Sequence, residues 1–200
     1  MPPLGPITLE GHHVRLEPLA AHHADSLHAA ARSAAIWTWI ADDLRERPAL
    51  ARFIGEAVAA AEAGREYAFA VIRLADGRVC GSTRYMDIQE AHRGVEIGWT
   101  WYEPPVWGTA INAETKLLLL SHAFEQWRAI RVQLKTDHRN LRSQGAIRKL
   151  GAVYEGTLRQ HRIRPDGTLR DTVVFSILDQ EWPAVRDALR HRLTPPVPPA

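Results

Sequence analysis

Apolar and polar residues alternate along "HVRLEPL", residues 13–19, with Val14, Leu16 and Pro18 on one side. A period of two predicts a strand. In "AAHHADSLHAAARS", 20–33, alanine and leucine recur at helical spacing. In "ERPALARFIGEAVAAAEA", 46–63, Leu50, Phe53, Ile54 and Val58 share a face ahead of Gly64, so two helices are predicted there, with "IWTWIADD" connecting them. "EYAFAVIRL" (66–74), an "ADG" turn and "RVCGSTRYMDI" (78–88) predict a hairpin. "GVEIGWTWYE" (94–103) predicts the next strand, with Val95, Ile97, Trp99 and Trp101 on one face and Glu96, Gly98, Thr100 and Tyr102 on the other. A long helix after Gly108, a strand at 131–137, a helix at 140–152 ending near Gly151, a second hairpin around "PDG" and a closing helix at 181–193 complete the order. The expected fold is α+β: one mixed, mostly antiparallel sheet flanked by helices.

Composition narrows this picture. A chain of 200 residues, 46% of them hydrophobic, fits one globular domain over 1–193, and the proline-rich "TPPVPPA" at 194–200 is predicted to be an extended or disordered tail. With 25 basic against 23 acidic residues the chain lacks the cationic excess of sequence-independent nucleic-acid binders, so no nucleic-acid partner is expected. Cys80 stands alone, which excludes an intrachain disulfide and fits a reducing cytoplasm. No export signal and no membrane span of roughly 20 apolar residues is legible, so a cytoplasmic protein without a membrane partner is expected. Histidines number 10 and include the pairs His12-His13 and His22-His23, but neighbours on a regular element face different ways and no His-Glu-x-x-His spacing occurs. No metal site is expected.

The stretch "PPVWGTAINAE", 104–114, is the strongest candidate for chemistry. The first turn of a helix leaves backbone N–H groups unpaired and carries the positive end of the helix dipole, an arrangement that attracts phosphate. Gly108 permits close approach, Thr109 and Ala110 are small, Ile111 can point inward, and Asn112 offers a polar side chain near the turn. A tight turn into a core helix is the plainer alternative. Neither a Walker loop nor a Gly-x-Gly-x-x-Gly fingerprint is present.

In context, "VEIGWTWYEPPVWGTAINAE", "KTDHRNLRSQGAIRKLGAVYEGTLR" and "DGTLRDTVVFSIL" stand in an order and spacing that resemble the GNAT acetyltransferases. The likeness is to their Rim-type branch, which includes ribosomal-protein N-terminal acetyltransferases, and it runs from about residue 8 to about residue 180. It implies an acetyl-CoA-dependent N-acetyltransferase acting on a primary amine by direct attack in a ternary complex. The cofactor would lie where "EIGWTWY" and "RVQLKTD" splay apart. The family's Gln/Arg-x-x-Gly-x-Gly/Ala loop falls on Pro105 to Ala110, where glycine and alanine match and Pro105 replaces the leading Gln/Arg. Proline lacks an N–H, so the phosphates are expected to rely on the amides from Trp107 to Asn112. A catalytically silent acyl-CoA-binding sensor or scaffold is the alternative that this departure keeps open.

By the same resemblance Glu155 is the expected base for the amine, with Glu96 the second candidate, and Ser143 the partner of the departing sulfur. A carboxylate near pKa 4 is a weak base for an ammonium, so burial would have to raise it. An α-amino group near pKa 8 loses its proton more easily than a lysine near 10, which favours N-terminal or similar amines. Backbone N–H groups near Ile97, Gly98 and Trp99 would meet the thioester. Asn140 reads as a cap or a cofactor contact, and Tyr154 is left without a role. The basic residues from Arg128 to Lys149 read as a solvated face or as attraction for phosphates, with Arg139 and Arg142 best placed. Trp37, Trp39 and Trp101 are expected to line the acceptor pocket, and a homodimer is a family-level expectation.

Overall fold

The structure is a computed structural model that describes residues 5–40, 42–164 and 166–194. Residues 195–200, most of the predicted proline-rich tail, lie outside the described residues. The chain runs β1 (Leu9–Glu10), β2 (Val14–Pro18), α1 (Ala24–Ala30), α2 (Ala34–Trp37), α3 (Arg47–Glu62), β3 (Tyr67–Arg73), β4 (Arg78–Gln89) and β5 (Gly94–Tyr102). It continues with α4 (Ala110–Ser121), β6 (Arg131–Asp137), α5 (Leu141–Arg148), β7 (Val153–Ile163), β8 (Leu169–Leu178) and α6 (Trp182–Leu193). The eight strands form one sheet in the order β1-β2-β3-β4-β5-β6-β8-β7, antiparallel everywhere except between β5 and β6. The predicted α+β mixed sheet is therefore present. The expected first helix is shorter than its alanine pattern suggested: a 3-10 turn at Ala21–His23 precedes α1, and the connection to α3 contains the four-residue α2.

Side chains alternate along the strands, so the sheet carries a core on each face. Val14, Leu16, Phe69, Tyr85, Ile97, Leu119, Phe175 and Leu189 fill the side covered by α4 and α6. Leu27, Leu50, Phe53, Ile54, Ala68, Ala70 and Trp101 fill the side covered by α1 and α3. Helix α4 is tied to the sheet edge by polar contacts as well. The buried Glu114 carboxylate accepts the backbone N–H groups of His12 (2.9 Å), His13 (2.6 Å) and Val14 (2.8 Å), which pins the β1–β2 turn to the helix that leads out of the Gly108 loop. Gly11 is required there, since a Cβ would lie 2.5 Å from the Glu114 carboxyl carbon. Glu114→Ala strands these amides and is expected to cost about 3 kcal/mol, read as a lowered midpoint in urea denaturation at an unchanged slope.

Candidate active site

Strands β5 and β6 pair only at Gly94–Arg131, Val95–Val132 and Glu96–Gln133. Beyond that point β5 runs on to Tyr102 and β6 to Asp137 without pairing, which opens a cleft with backbone polar groups along both walls. The cleft wall of β5 carries a bulge. Against β4, Arg84 opposes Gly98 and Ser82 opposes Trp101, so Thr83 faces two residues, Trp99 and Thr100. Trp99 takes φ +50°, a left-handed conformation unusual for a bulky residue.

The extra residue reverses the side-chain phase, so the predicted shared face of Val95, Ile97, Trp99 and Trp101 is corrected. Val95, Ile97 and Tyr102 belong to the α4 side. Trp101 packs on the α1–α3 side, 5.2 Å from Trp37 between ring centroids, and Trp99 lies 5.7 Å from Phe53. Trp37 and Trp101, expected in an acceptor wall, are 7% and 3% exposed and serve as core; Trp37 also donates its ring N–H to the Ala31 carbonyl. Of the expected wall residues outside the bulge, Trp39 alone is half-exposed.

The phosphate-loop candidate enters α4 from a 3-10 turn at Pro104–Val106. Gly108 has φ +79°, and a Cβ there would meet no atom within 4 Å, so the loop is open in front of it. Not all of the amides from Trp107 to Asn112 are available. Trp107 N–H donates to Pro104 O (3.0 Å), Thr109 N–H to Val106 O (3.3 Å), and Ile111 N–H to the capping Thr109 hydroxyl (3.3 Å). The amides of Gly108, Ala110 and Asn112 have no acceptor among the described residues. Ile111 points into the core as expected.

Across the cleft, α5 begins with Asn140, whose side-chain oxygen accepts the Ser143 N–H at 3.0 Å; the cap reading of Asn140 is thus realised. Arg142 reaches back over the cleft mouth and stacks on Trp107, 3.7 Å from guanidinium carbon to ring centroid, while Trp107 donates its ring N–H to Tyr102 O. Arg139, just ahead of α5, is exposed. At the end of β6 the buried Asp137 receives Arg164 through Nε (2.8 Å) and Nη2 (3.0 Å), fixing the β7–β8 hairpin against the cleft wall.

The two carboxylates singled out for proton transfer occupy different surroundings. Glu155 is clasped by the Arg131 guanidinium and accepts the Ser176 hydroxyl at 2.8 Å. Arg131 holds the Glu155 carboxyl below its ordinary value, the opposite of the upward shift a base for an ammonium needs. Glu96, 7% exposed, stands in the last β5–β6 pair and binds Lys135 Nζ at 2.8 Å, with Gln133 Nε2 at 3.4 Å. Arg131 also donates to Gln133, so a polar row joins Glu155 to Glu96, but no hydrogen bond among the described residues joins Glu155 to Ser143.

Contrary to the expectation that neighbouring histidines face different ways, one pair comes together. In the 3-10 turn at Ala21–His23 the neighbouring rings of His22 and His23 lie 3.9 Å apart and gather with Glu17. His23 Nδ1 accepts Ala20 N–H and Nε2 contacts Glu17, which Arg15 also binds, so His23 and Glu17 are already engaged within the chain, while His22 is exposed.

A profile of the acetyltransferase (GNAT) domain matches residues 13–153. The chain belongs to the GNAT acetyltransferase family. It is an acyltransferase enzyme by that membership. The chain is 31% identical to a GCN5-related N-acetyltransferase from Brucella melitensis, with a TM-score of 0.90 over 97% of this chain and 88% of that one. Mycobacterium smegmatis RimJ, solved in complex with CoA-disulfide, has the same fold at 20% identity, with a TM-score of 0.82 over 94% of this chain and 95% of that one. A curated relative from Bacillus subtilis (strain 168), named "Putative ribosomal N-acetyltransferase YdaF", is 28% identical over 109 residues, 54% of this chain and 58% of that protein. The match thus spans little more than half of that relative's length.

Several residues that shape the GNAT cleft carry no motif in the sequence. Arg131 reads there only as one of the basic residues from Arg128 to Lys149, Arg164 has no role there, and their carboxylate partners lie 24 and 27 residues away. Lys116 had a signal: with Ala113 and Leu120 it falls on the buried stripe of α4 at helical spacing.

Proposed function

We propose that the β5–β6 cleft takes acetyl-CoA and that the protein moves its acetyl group to a primary amine, on a protein N-terminus or a small molecule. The observation that carries this reading is the divergence of two parallel strands directly in front of a glycine loop whose Gly108, Ala110 and Asn112 amides lack acceptors among the described residues. The complex of the similarly folded RimJ with CoA-disulfide supports it. Bound there, the cofactor supplies an activated acyl group.

The protein's own residues supply orientation and charge. The three open amides and the start of α4 receive the diphosphate, with Arg139 and Arg142 adding positive charge at the mouth. Backbone N–H groups of β5 from Ile97 to Trp101 orient the acyl arm and meet its carbonyl oxygen. The Ser143 hydroxyl, whose backbone is already capped by Asn140, donates a hydrogen bond to the departing sulfur. Glu96, at the point where the strands part, accepts the proton of the amine directly or through water, while Glu155 is held by Arg131 as part of the polar wall.

Calorimetry with acetyl-CoA and a thiol-release assay over a panel of amines test the reading. Binding in the micromolar range and turnover of at least one amine are expected, with Glu96→Gln lowering kcat more than Glu155→Gln by about tenfold or more. Equal effects of the two substitutions would remove the assignment of Glu96. Pro105 in place of the family's Gln/Arg favours a second reading, an acyl-CoA-binding sensor, for which cofactor binding without turnover of any amine would be the sign.

A further inference from the structure

Lys116 is 5% exposed and lies inside the sheet-facing side of α4, yet no carboxylate among the described residues faces it. Its Nζ instead meets two hydroxyls, Thr100 Oγ1 at 2.6 Å and Thr83 Oγ1 at 3.4 Å, and these hydroxyls lie 2.8 Å from each other. Thr100 belongs to the bulge of β5 and is half-exposed at the cleft; Thr83 is the β4 residue that the bulge straddles. We infer that Lys116 is a positioning residue of the acetyl-transfer site: through the Lys116–Thr100–Thr83 triangle it fixes the Trp99–Thr100 bulge, and with it the direction of the amides that line the cleft. The inference rests on the acetyltransferase reading above.

Hydrogen-bond bookkeeping makes the triangle sensitive to protonation. A neutral amine has one lone pair, so Lys116 can donate to Thr83, Thr83 to Thr100, and Thr100 back to Lys116 in a closed ring. An ammonium has no lone pair. On protonation the Thr100 hydroxyl must turn elsewhere, and the Gly98 carbonyl at 3.4 Å in the cleft strand is within its reach. Burial alone lowers the Lys116 pKa from 10.5 to about 7, which places this change near neutrality.

The neighbouring ionisable groups do not compete for the proton. Cys80 and Tyr85 on β4 and Tyr102 on β5, which share this core, are all held neutral by burial, the Cys80 thiol being pushed up to about 12. Glu114 on α4 itself is taken by the β1–β2 turn. His122 beyond the end of α4 has its pKa lowered by burial, and Arg186 on α6 pairs with Glu125 and Asp187.

The test compares wild type with Lys116→Met, Thr100→Val, the double variant and Thr100→Ser. Each of the first two is expected to lower kcat about tenfold or more while the acetyl-CoA Kd changes less than about twofold. The double variant should be no worse than the poorer single one, because both break the same triangle. Thr100→Ser, which keeps the hydroxyl, should recover most of the rate. The wild-type to Lys116→Met ratio of kcat should fall as pH drops from about 8 to about 6, a comparison in which the acceptor's own titration cancels.

A second readout needs no turnover. Between about pH 7 and 10.5 the unfolded chain binds the lysine proton more tightly than the folded one, so wild-type melting temperature should rise with pH across that window and Lys116→Met should lose the rise. Wild type that binds acetyl-CoA and acetylates an amine, with both single variants matching it in kcat and pH ratio, overturns the positioning role alone. Wild type that binds no acetyl-CoA overturns the parent reading together with it.

Discussion

Gly108→Asp is expected to weaken acetyl-CoA binding about a hundredfold, roughly 3 kcal/mol, measured by calorimetry. Two terms combine. At φ +79° a side chain costs about 1–2 kcal/mol of backbone strain, although nothing within 4 Å would obstruct it. A carboxylate there would also face the bound diphosphate, where two charges about 4 Å apart repel by about 4 kcal/mol before solvent relieves part of it. Gly108→Asn separates the terms, since asparagine has the same shape, no charge and a tolerance for left-handed backbone. Its affinity should stay within about fivefold of wild type. Equal losses for Asp and Asn would mean that the loop is not a receptor for phosphate.

Asp137→Ala is expected to destabilise the fold, because it removes the buried carboxylate that binds the Arg164 guanidinium and the Arg139 N–H. Asp137 is 3% exposed. Burial by itself would raise its pKa, but the Arg164 hydrogen bonds, the Arg139 N–H and the charges of Arg164 and Arg170 outweigh burial and lower it. A carboxyl with a lowered folded pKa contributes stability that is complete above the unfolded value near 3.8 and is lost as pH falls through the folded value. Denaturation of wild type should therefore show an acid limb below about pH 4 that is reduced in Asp137→Ala. Arg164 keeps its contacts to Thr168 and Leu169, so the variant should loosen first where the β7–β8 hairpin meets β6, visible as faster amide exchange there. Unchanged stability at neutral pH would contradict the assigned role.

The resemblance to the GNAT family was legible because its motifs are local in the chain. A glycine followed by small residues ahead of a helix, and "NLRSQ" opening another, place backbone donors and caps within a few residues, so short strings carry the geometry. Strand and helix order was legible for the same reason. Side-chain direction on β5 was not. Alternation predicts faces only while the ladder is regular, and the bulge at Trp99 depends on how β4 lies alongside, 14 to 17 residues away by the Arg84–Gly98 and Thr83–Thr100 separations. One inserted residue moved Trp101 into the core and Thr100 toward Lys116. Glu155 illustrates the other limit: its motif is local, but the Arg131 that lowers its pKa lies on β6, and β8 with Ser176 stands between the two strands.

Sequence alone determined the order of the longer elements, a glycine turn into a helix at Gly108 and the family, since each depends on residues close together along the chain. Tertiary structure decided which amides in that turn remain unpaired, which carboxylate stands at the fork of β5 and β6, and why a lysine can sit in the core. These depend on partners brought from distant segments, and the free energy of a buried polar group is set by those partners rather than by the residue itself.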